Sequence, residues 1–244
     1  MKAIILAAGY GTRLKPLTDY LPKALVRIAG KPLLQIAIER LLCAGISDIG
    51  INVHHFSEQI IEFLHKHRFF GAEITLSPEN KILGTGGGAK RLIRRMGEDE
   101  AFLIINVDVL TDLDFAQFSA AFVRENADAL LAVKHRTTQR YLLTDSEATL
   151  CGRGKPDRTV DFLVRQPVGA LDAVAFNGLQ LVHPAVLSSY QETVFSTIDA
   201  YLEWARNGST VKIFSMDHCY WLDVGRPETL FQAEQDIASG RLQI

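Results

Sequence analysis

Arg13 and Lys23 are two cations that follow a glycine-bearing turn, and that combination suits a polyphosphate. The stretch reads Leu6-Ala7-Ala8-Gly9-Tyr10-Gly11-Thr12-Arg13-Leu14-Lys15-Pro16-Leu17-Thr18, and Pro22-Lys23 follows. Glycine at 9 and 11 lets backbone N–H groups close on an anion with no Cβ in the way. Full positive charges beside such a turn supply what phosphate oxygens require. Two familiar phosphate loops are excluded. No G-K-[ST] follows, which rules out a Walker-type loop, and Leu14 stands where a dinucleotide fingerprint has its third glycine.

Two carboxylates complete the chemistry. Asp108 ends the apolar run Phe102-Leu-Ile-Ile-Asn-Val, and open α/β sheets place their ligands at strand carboxyl ends. A strand-end aspartate also serves as a turn cap, so spacing alone leaves both roles open. Asp223, in Trp221-Leu222-Asp223-Val224-Gly225, is flanked by large apolar residues and needs a cation or donors if buried. If the two acids converge they suit Mg²⁺, which takes oxygen ligands and keeps waters and phosphate oxygens. Other tempting groups are read as structural. Adjacent His54 and His55 point to opposite sides of a strand end. Asp112 and Asp114 form a D-x-D that leads into an amphipathic helix, so they read as caps. Arg91, Arg94 and Arg95 read as a solvated face.

These side chains need a scaffold, and the pattern predicts a βαβ-wound sheet. Strands are expected at Ala3–Ala8, Asp48–Val53, Glu73–Ser77, Ala101–Asn106 and Ala129–Val133. Helices are expected over Lys31–Ala44 with a stop at Gly45, from an N-cap at Ser57, over Gly86–Arg95, and from Asp114. From about Arg140 the texture changes to short strands, Tyr141–Leu143, Thr159–Val164 and Ala173–Val182, separated by polar turns such as Gly152–Asp157. Ser196 and Asp199 form a capping box, Thr210–Ser215 is a late strand, and Pro227 opens the last helix. The expected fold class is α/β: a Rossmann-like, doubly wound, mixed and mainly parallel sheet flanked by helices, with a smaller β region. The expected organisation is one domain over 1–244, with halves 1–135 and 136–244.

Composition narrows the partners. A net charge of −2 gives no bulk electrostatic case for nucleic acid or a membrane surface, so any anion site must be local. Cys43, Cys151 and Cys219 lack C-x-x-C spacing, which fits a reduced cytoplasmic protein without structural zinc or disulfides. The apolar run Ala3–Ala8 is too short for a signal peptide or a membrane span.

The stretch from Leu6 to Thr18 with Pro22-Lys23 resembles, nearly letter for letter, the signature of sugar-1-phosphate nucleotidylyltransferases, L-A-A-G-x-G-T-R-L-x-P-L-T followed by P-K. The likeness runs from Met1 to about Ser239. It implies that an NTP and a sugar-1-phosphate give an NDP-sugar and pyrophosphate, with Mg²⁺ as cofactor and attack in line at the α-phosphorus. By that resemblance Leu6, Ala8, Gly9, Gly11, Thr12, Arg13, Thr85, Gly86, Gly87 and Asp108 bind the nucleotide. Arg13 and Lys23 are catalytic, and Asp108 and Asp223 hold the metal. The latter lies in a late W-x-D-x-G-x-P that Trp221–Pro227 matches, with Arg226 where many relatives have Thr. Asn177 and Gly178 bind the sugar, Asn177 replacing a usual Thr or Ser. The E-K-P motif of deoxysugar relatives is missing, and Arg165-Gln166-Pro167 occupies a similar place. Short forms acting on N-acetylmuramate-1-phosphate or mannose-1-phosphate look most alike, and the resemblance also admits a homo-oligomer. Two alternatives stay open: a metal-dependent glycosyltransferase using the D-x-D, and a catalytically silent sugar-nucleotide sensor.

Overall fold

A computed structural model describes residues 1–244. In chain order the strands are β1 (Lys2–Leu6), β2 (Arg27–Ile28), β3 (Lys31–Pro32), β4 (Asp48–Val53), β5 (Glu73–Pro78), β6 (Phe102–Asn106) and β7 (Val109–Thr111). They continue with β8 (Ala129–Lys134), β9 (Tyr141–Thr144), β10 (Leu150–Gly154), β11 (Val160–Leu163), β12 (Asp172–Val182), β13 (Val211–Ser215) and β14 (Trp221–Asp223). The helices are α1 (Leu33–Cys43), α2 (Ser57–Lys66), α3 (Gly84–Met96), α4 (Phe115–Arg124), α5 (Pro184–Ser188), α6 (Thr197–Arg206) and α7 (Pro227–Ala238).

A ten-stranded sheet runs β11-β10-β9-β12-β6-β1-β4-β5, with β8 joined to β12 and β13 joined to β8. The β6-β1-β4-β5 part is parallel, as is β8-β13, and the β11-to-β12 part is antiparallel. This is the mixed, helix-flanked sheet expected from the sequence. Alternation along each strand explains the double winding, since successive side chains point to opposite faces. Ala3, Ile5, Leu103 and Ile105 enter one core cluster with residues of α1, α2 and α4. Ile4, Leu6, Phe102 and Ile104 enter the other, with α3, α5 and α6. Both faces are thus closed, and the carboxyl ends of β1, β4 and β6 come together at one edge of the sheet.

Three local expectations need correction. Gly152–Asp157 was expected to be a polar turn, yet Leu150–Gly154 is a strand, held by β9 on one side and β11 on the other. Its Cys-Gly-Arg-Gly core has little β propensity of its own, so pairing on both sides overrides it. At α2, Ser57 is the first helical residue, and Phe56 takes the N-cap place with φ 52° and no side-chain cap. The glycine helix starts two residues before the expected Gly86, at Gly84.

Candidate active site

β1 ends in the glycine turn, and buried polar groups fix where that turn begins. Asn52 Oδ1, at the end of β4, accepts from the Ala7 N–H at 2.7 Å. Its amide donates to Glu79 Oε1 at 2.8 Å, and Glu79 Oε2 accepts from the Leu83 N–H at 2.9 Å. Gly11 has φ 67°, a left-handed conformation that glycine adopts without penalty. Its carbonyl accepts from Thr18 Oγ1 at 2.9 Å and from the Leu14 N–H at 2.8 Å. A Cβ there would lie 2.9 Å from Lys23 Cβ, so the turn packs directly on the lysine stem. Thr12 opens a short 3₁₀ turn that carries Arg13. Gly9 meets nothing within 4 Å where a Cβ would stand. It borders a cleft of about 220 Å³ whose wall includes Leu6, Ala8, Lys23, Thr85 and Asp108.

The two acids meet through a small ribbon outside the main sheet. β14 pairs antiparallel with β7, setting Asp223 opposite Val109, and the Val224 N–H donates to the Asp108 carbonyl at 2.9 Å. Residues more than a hundred positions apart are therefore neighbours. Lys23 Nζ forms an ion pair with Asp108 Oδ2, and Arg13 Nη2 stands 3.9 Å from Asp223 Oδ2. Asp223 Oδ1 is buried with no hydrogen-bond partner. Burial, and then the charge of Asp108, push the Asp223 carboxyl above its ordinary pKa; Lys23, Arg13 and Arg136 pull it back. A carboxylate pair of this kind, one oxygen still unpartnered, is a donor set that fits a hard divalent cation.

The groups read as structural do structural work. Asp114 caps α4, accepting from the Ala116 and Gln117 N–H groups at 2.8 and 3.3 Å. Asp112 Oδ1 accepts from the Tyr220 N–H at 2.8 Å and so fastens the approach to β14. His54 uses both ring nitrogens, one against the Glu79 carbonyl at 2.6 Å and one against the Tyr10 hydroxyl at 3.2 Å.

The second glycine segment opens α3. Gly86 and Gly87 are buried, and their N–H groups donate to the Phe195 carbonyl at 2.9 and 3.4 Å. A Cβ on Gly86 would overlap the Phe195 ring. Those two amides are engaged within the chain, whereas Gly84 and Thr85 face the cleft.

A larger cavity of about 480 Å³ shares Thr85 and Asn106 with the cleft and extends to Arg140, Tyr141, Arg153 and Phe176. Asn177 and Gly178 sit at an irregularity in β12, where its register with β8 shifts between Phe176 and Gln180. Asn177 is buried; its Oδ1 accepts from Arg136 Nε at 3.0 Å and its carbonyl from Trp221 Nε1 at 2.9 Å. Gly178 has φ 79° and faces the Asn106 amide, which a Cβ would approach to 2.7 Å. Arg136, absent from the sequence reading, is a third cation at the site. It also donates to the Phe176 carbonyl at 2.7 Å and lies 4.1 Å over the Trp221 ring. Asn52, Glu79 and Asn106 were missed too. The available signal was a polar residue at the end of an apolar strand, as in Ile-Asn-Val at 51–53 and at 105–107.

Comparison with known proteins follows the same lines. The family model described as Nucleotidyl transferase matches residues 2–240. A mannose-1-phosphate guanyltransferase of Yarrowia lipolytica is 31% identical over 240 residues, covering 93% of this chain and 61% of its own length. Its counterpart in Schizosaccharomyces pombe is 29% identical, covering 93% of this chain and 62% of its own. The chain thus spans about three-fifths of the length of these relatives. Among solved structures, HddC from Yersinia pseudotuberculosis complexed with GMP-PN aligns with a TM-score of 0.76 at 24% identity, over 97% of this chain and 99% of that one. The inositol-1-phosphate CTP transferase from T. maritima aligns at 0.75 and 20% identity, over 98% and 96%. At that identity the structural likeness speaks to the fold.

Proposed function

This chain belongs to the nucleotidyl transferase family, and from that premise we propose that it transfers a nucleotidyl group from an NTP to a sugar-1-phosphate, releasing pyrophosphate. The observation that carries the reading is the meeting of Arg13, Lys23, Asp108 and Asp223 at the glycine turn. The smaller cleft is walled only by residues up to Asp108, and the larger cavity mainly by residues from Thr138 onward. That division supports a nucleotide half and a sugar half.

Phosphoryl-type transfer asks little covalent chemistry of the protein, so positioning and charge neutralisation carry the rate. The Gly9–Gly11 backbone and Arg13 would hold the leaving β- and γ-phosphates. Lys23 would offset charge at the α-phosphate and at the attacking phosphate. Asp108 and Asp223 would hold Mg²⁺, which supplies Lewis-acid charge neutralisation on the phosphate oxygens when bound. Arg136, stacked on Trp221 beside Asp223, acts as a positioning residue for that acid. No general base is needed, because a sugar phosphate is already ionised at neutral pH. No helix is long and apolar enough to cross a membrane, and three free cysteines suit a reducing cytoplasm.

The test is a matrix of four NTPs against a panel of sugar-1-phosphates, reading pyrophosphate. Turnover with one pairing supports the reading; nucleotide binding with no turnover across the panel would make the chain a sensor instead. Asp108→Asn and Asp223→Asn should each lower kcat by about 10²–10³ without lowering Tm. Calorimetric titration with Mn²⁺ should show metal affinity lost in step, and near-normal activity in either variant removes the metal assignment.

A further inference from the structure

On the outer face of α3, Lys90, Arg91, Arg94 and Arg95 stand at the three- and four-residue spacings that make neighbours on a helix. The ion pairs of the molecule all lie elsewhere. Like charges so spaced oppose one another unless a counter-charge arrives. Arg94 and Arg95 are exposed, and all four line one concavity. With Ser188, Ser189, Tyr190, Gln191 and Thr193 they line a cavity of about 680 Å³ whose lining has no acidic residue, the nearest bonded one being Glu98, which accepts from Ser188 Oγ at 2.8 Å. Lys90 and Arg91 are half-buried there.

The hydrogen bonds separate the four cations into two kinds. Lys90 Nζ is tied to the Tyr190 carbonyl and Arg95 Nη1 to the Leu76 carbonyl at 2.6 Å, so both serve the fold. Arg91 and Arg94 donate to no protein group, which leaves two unpaired guanidinium forks among the residues that line the cavity. Burial, and then the charge of Arg94, push the Lys90 ammonium below its ordinary pKa, the direction expected where positive charge lacks a counter-ion.

We propose that this cavity is a second anion site, taking a small, multiply charged phosphate compound through Arg91 and Arg94. The guanidinium fork matches phosphate geometry, and a concave wall closed by the Ser188–Thr193 turn suits a small molecule better than a nucleic acid or a lipid surface. The site is independent of the reaction assigned to the cleft, but it shares a wall with it. Gly87 lines the basic cavity, and Thr85, two residues earlier, lines both cavities of the candidate active site. Thr193 lines the basic cavity, and the same strand of chain continues to Thr197, whose N–H donates to Thr85 Oγ1 at 3.0 Å. A ligand here therefore rests on the back of the active-site wall.

Inorganic pyrophosphate is the probe, titrated calorimetrically into the full chain at low salt with Mg²⁺ present. Wild type should take up two equivalents. Arg91→Gln/Arg94→Gln, which keeps good helix formers in place, should retain one equivalent and weaken the other at least tenfold. Arg91→Lys/Arg94→Lys should recover part of that loss. Arg13→Ala, at the cation assigned to the leaving phosphates, should do the reverse, losing the cleft equivalent and keeping the one on α3. A wild-type stoichiometry of one that vanishes in Arg13→Ala overturns the proposal. So does a second equivalent that survives unchanged in Arg91→Gln/Arg94→Gln.

Discussion

Two glycine-rich segments reach the same cleft and use glycine in opposite ways. At Gly9 the space a side chain would fill is empty, and the turn is held from behind by Asn52 and Thr18. At Gly86 and Gly87 that space is already occupied by Phe195 and Thr193 of the same chain. The first segment leaves room beside the turn, whereas the second lets a helix and a crossing loop pack in contact. Glycine in a sequence thus announces a close approach without saying who approaches.

The contrast can be pressed with three substitutions. The largest effect belongs to the open turn: Lys23→Ala should reduce kcat by about 10²–10³ while NTP affinity changes far less, as measured by steady-state kinetics. A pure affinity loss would move the lysine away from the reacting phosphates. Next comes the packed segment. Gly86→Ala forces a methyl into the Phe195 ring, and overpacking of this kind costs about 1–3 kcal/mol. For a chain of this size each kcal/mol lowers Tm by roughly 2–4 °C, so thermal melting should shift clearly. The smallest effect is at Gly9, which has no left-handed φ and no neighbour to strike. Gly9→Ala should leave Tm unchanged or raise it slightly, since such a change stabilises by about 0.4–1 kcal/mol. It should still raise KM for the NTP about tenfold, roughly 1.4 kcal/mol. If Gly86→Ala instead spared Tm and Gly9→Ala lowered it, the two segments would have to exchange roles.

Much of the scaffold was legible because periodicity encodes it. The apolar runs of β1, β4, β6 and β8, the caps at Asp114 and Ser196 and the helix start at Pro227 are local signals, and each lies where expected. What was not legible depends on crossing distances. β10 is a strand only because β9 and β11 flank it. β7 and β14 span three residues each, too short for a pattern to show, yet their pairing unites Asp108 with Asp223. Arg136 looked like any surface arginine. Its role depends on Asn177 and Trp221, 41 positions away in one case and further in the other. On the sugar side, the Asn177 side-chain oxygen is engaged by Arg136 and its side-chain nitrogen is buried without a partner, neither of which spacing in the sequence could show.

That short ribbon has a consequence for durability. Two strands of three residues have little cohesion of their own, and here they are held by the Asp112 bond to Tyr220, the Thr111 hydroxyl on the Tyr220 carbonyl and the Trp221 stack. Two carboxylates and the cations facing them thus depend on a ribbon outside the main sheet. Gentle heating should therefore separate Asp108 from Asp223 before the frame that carries them gives way.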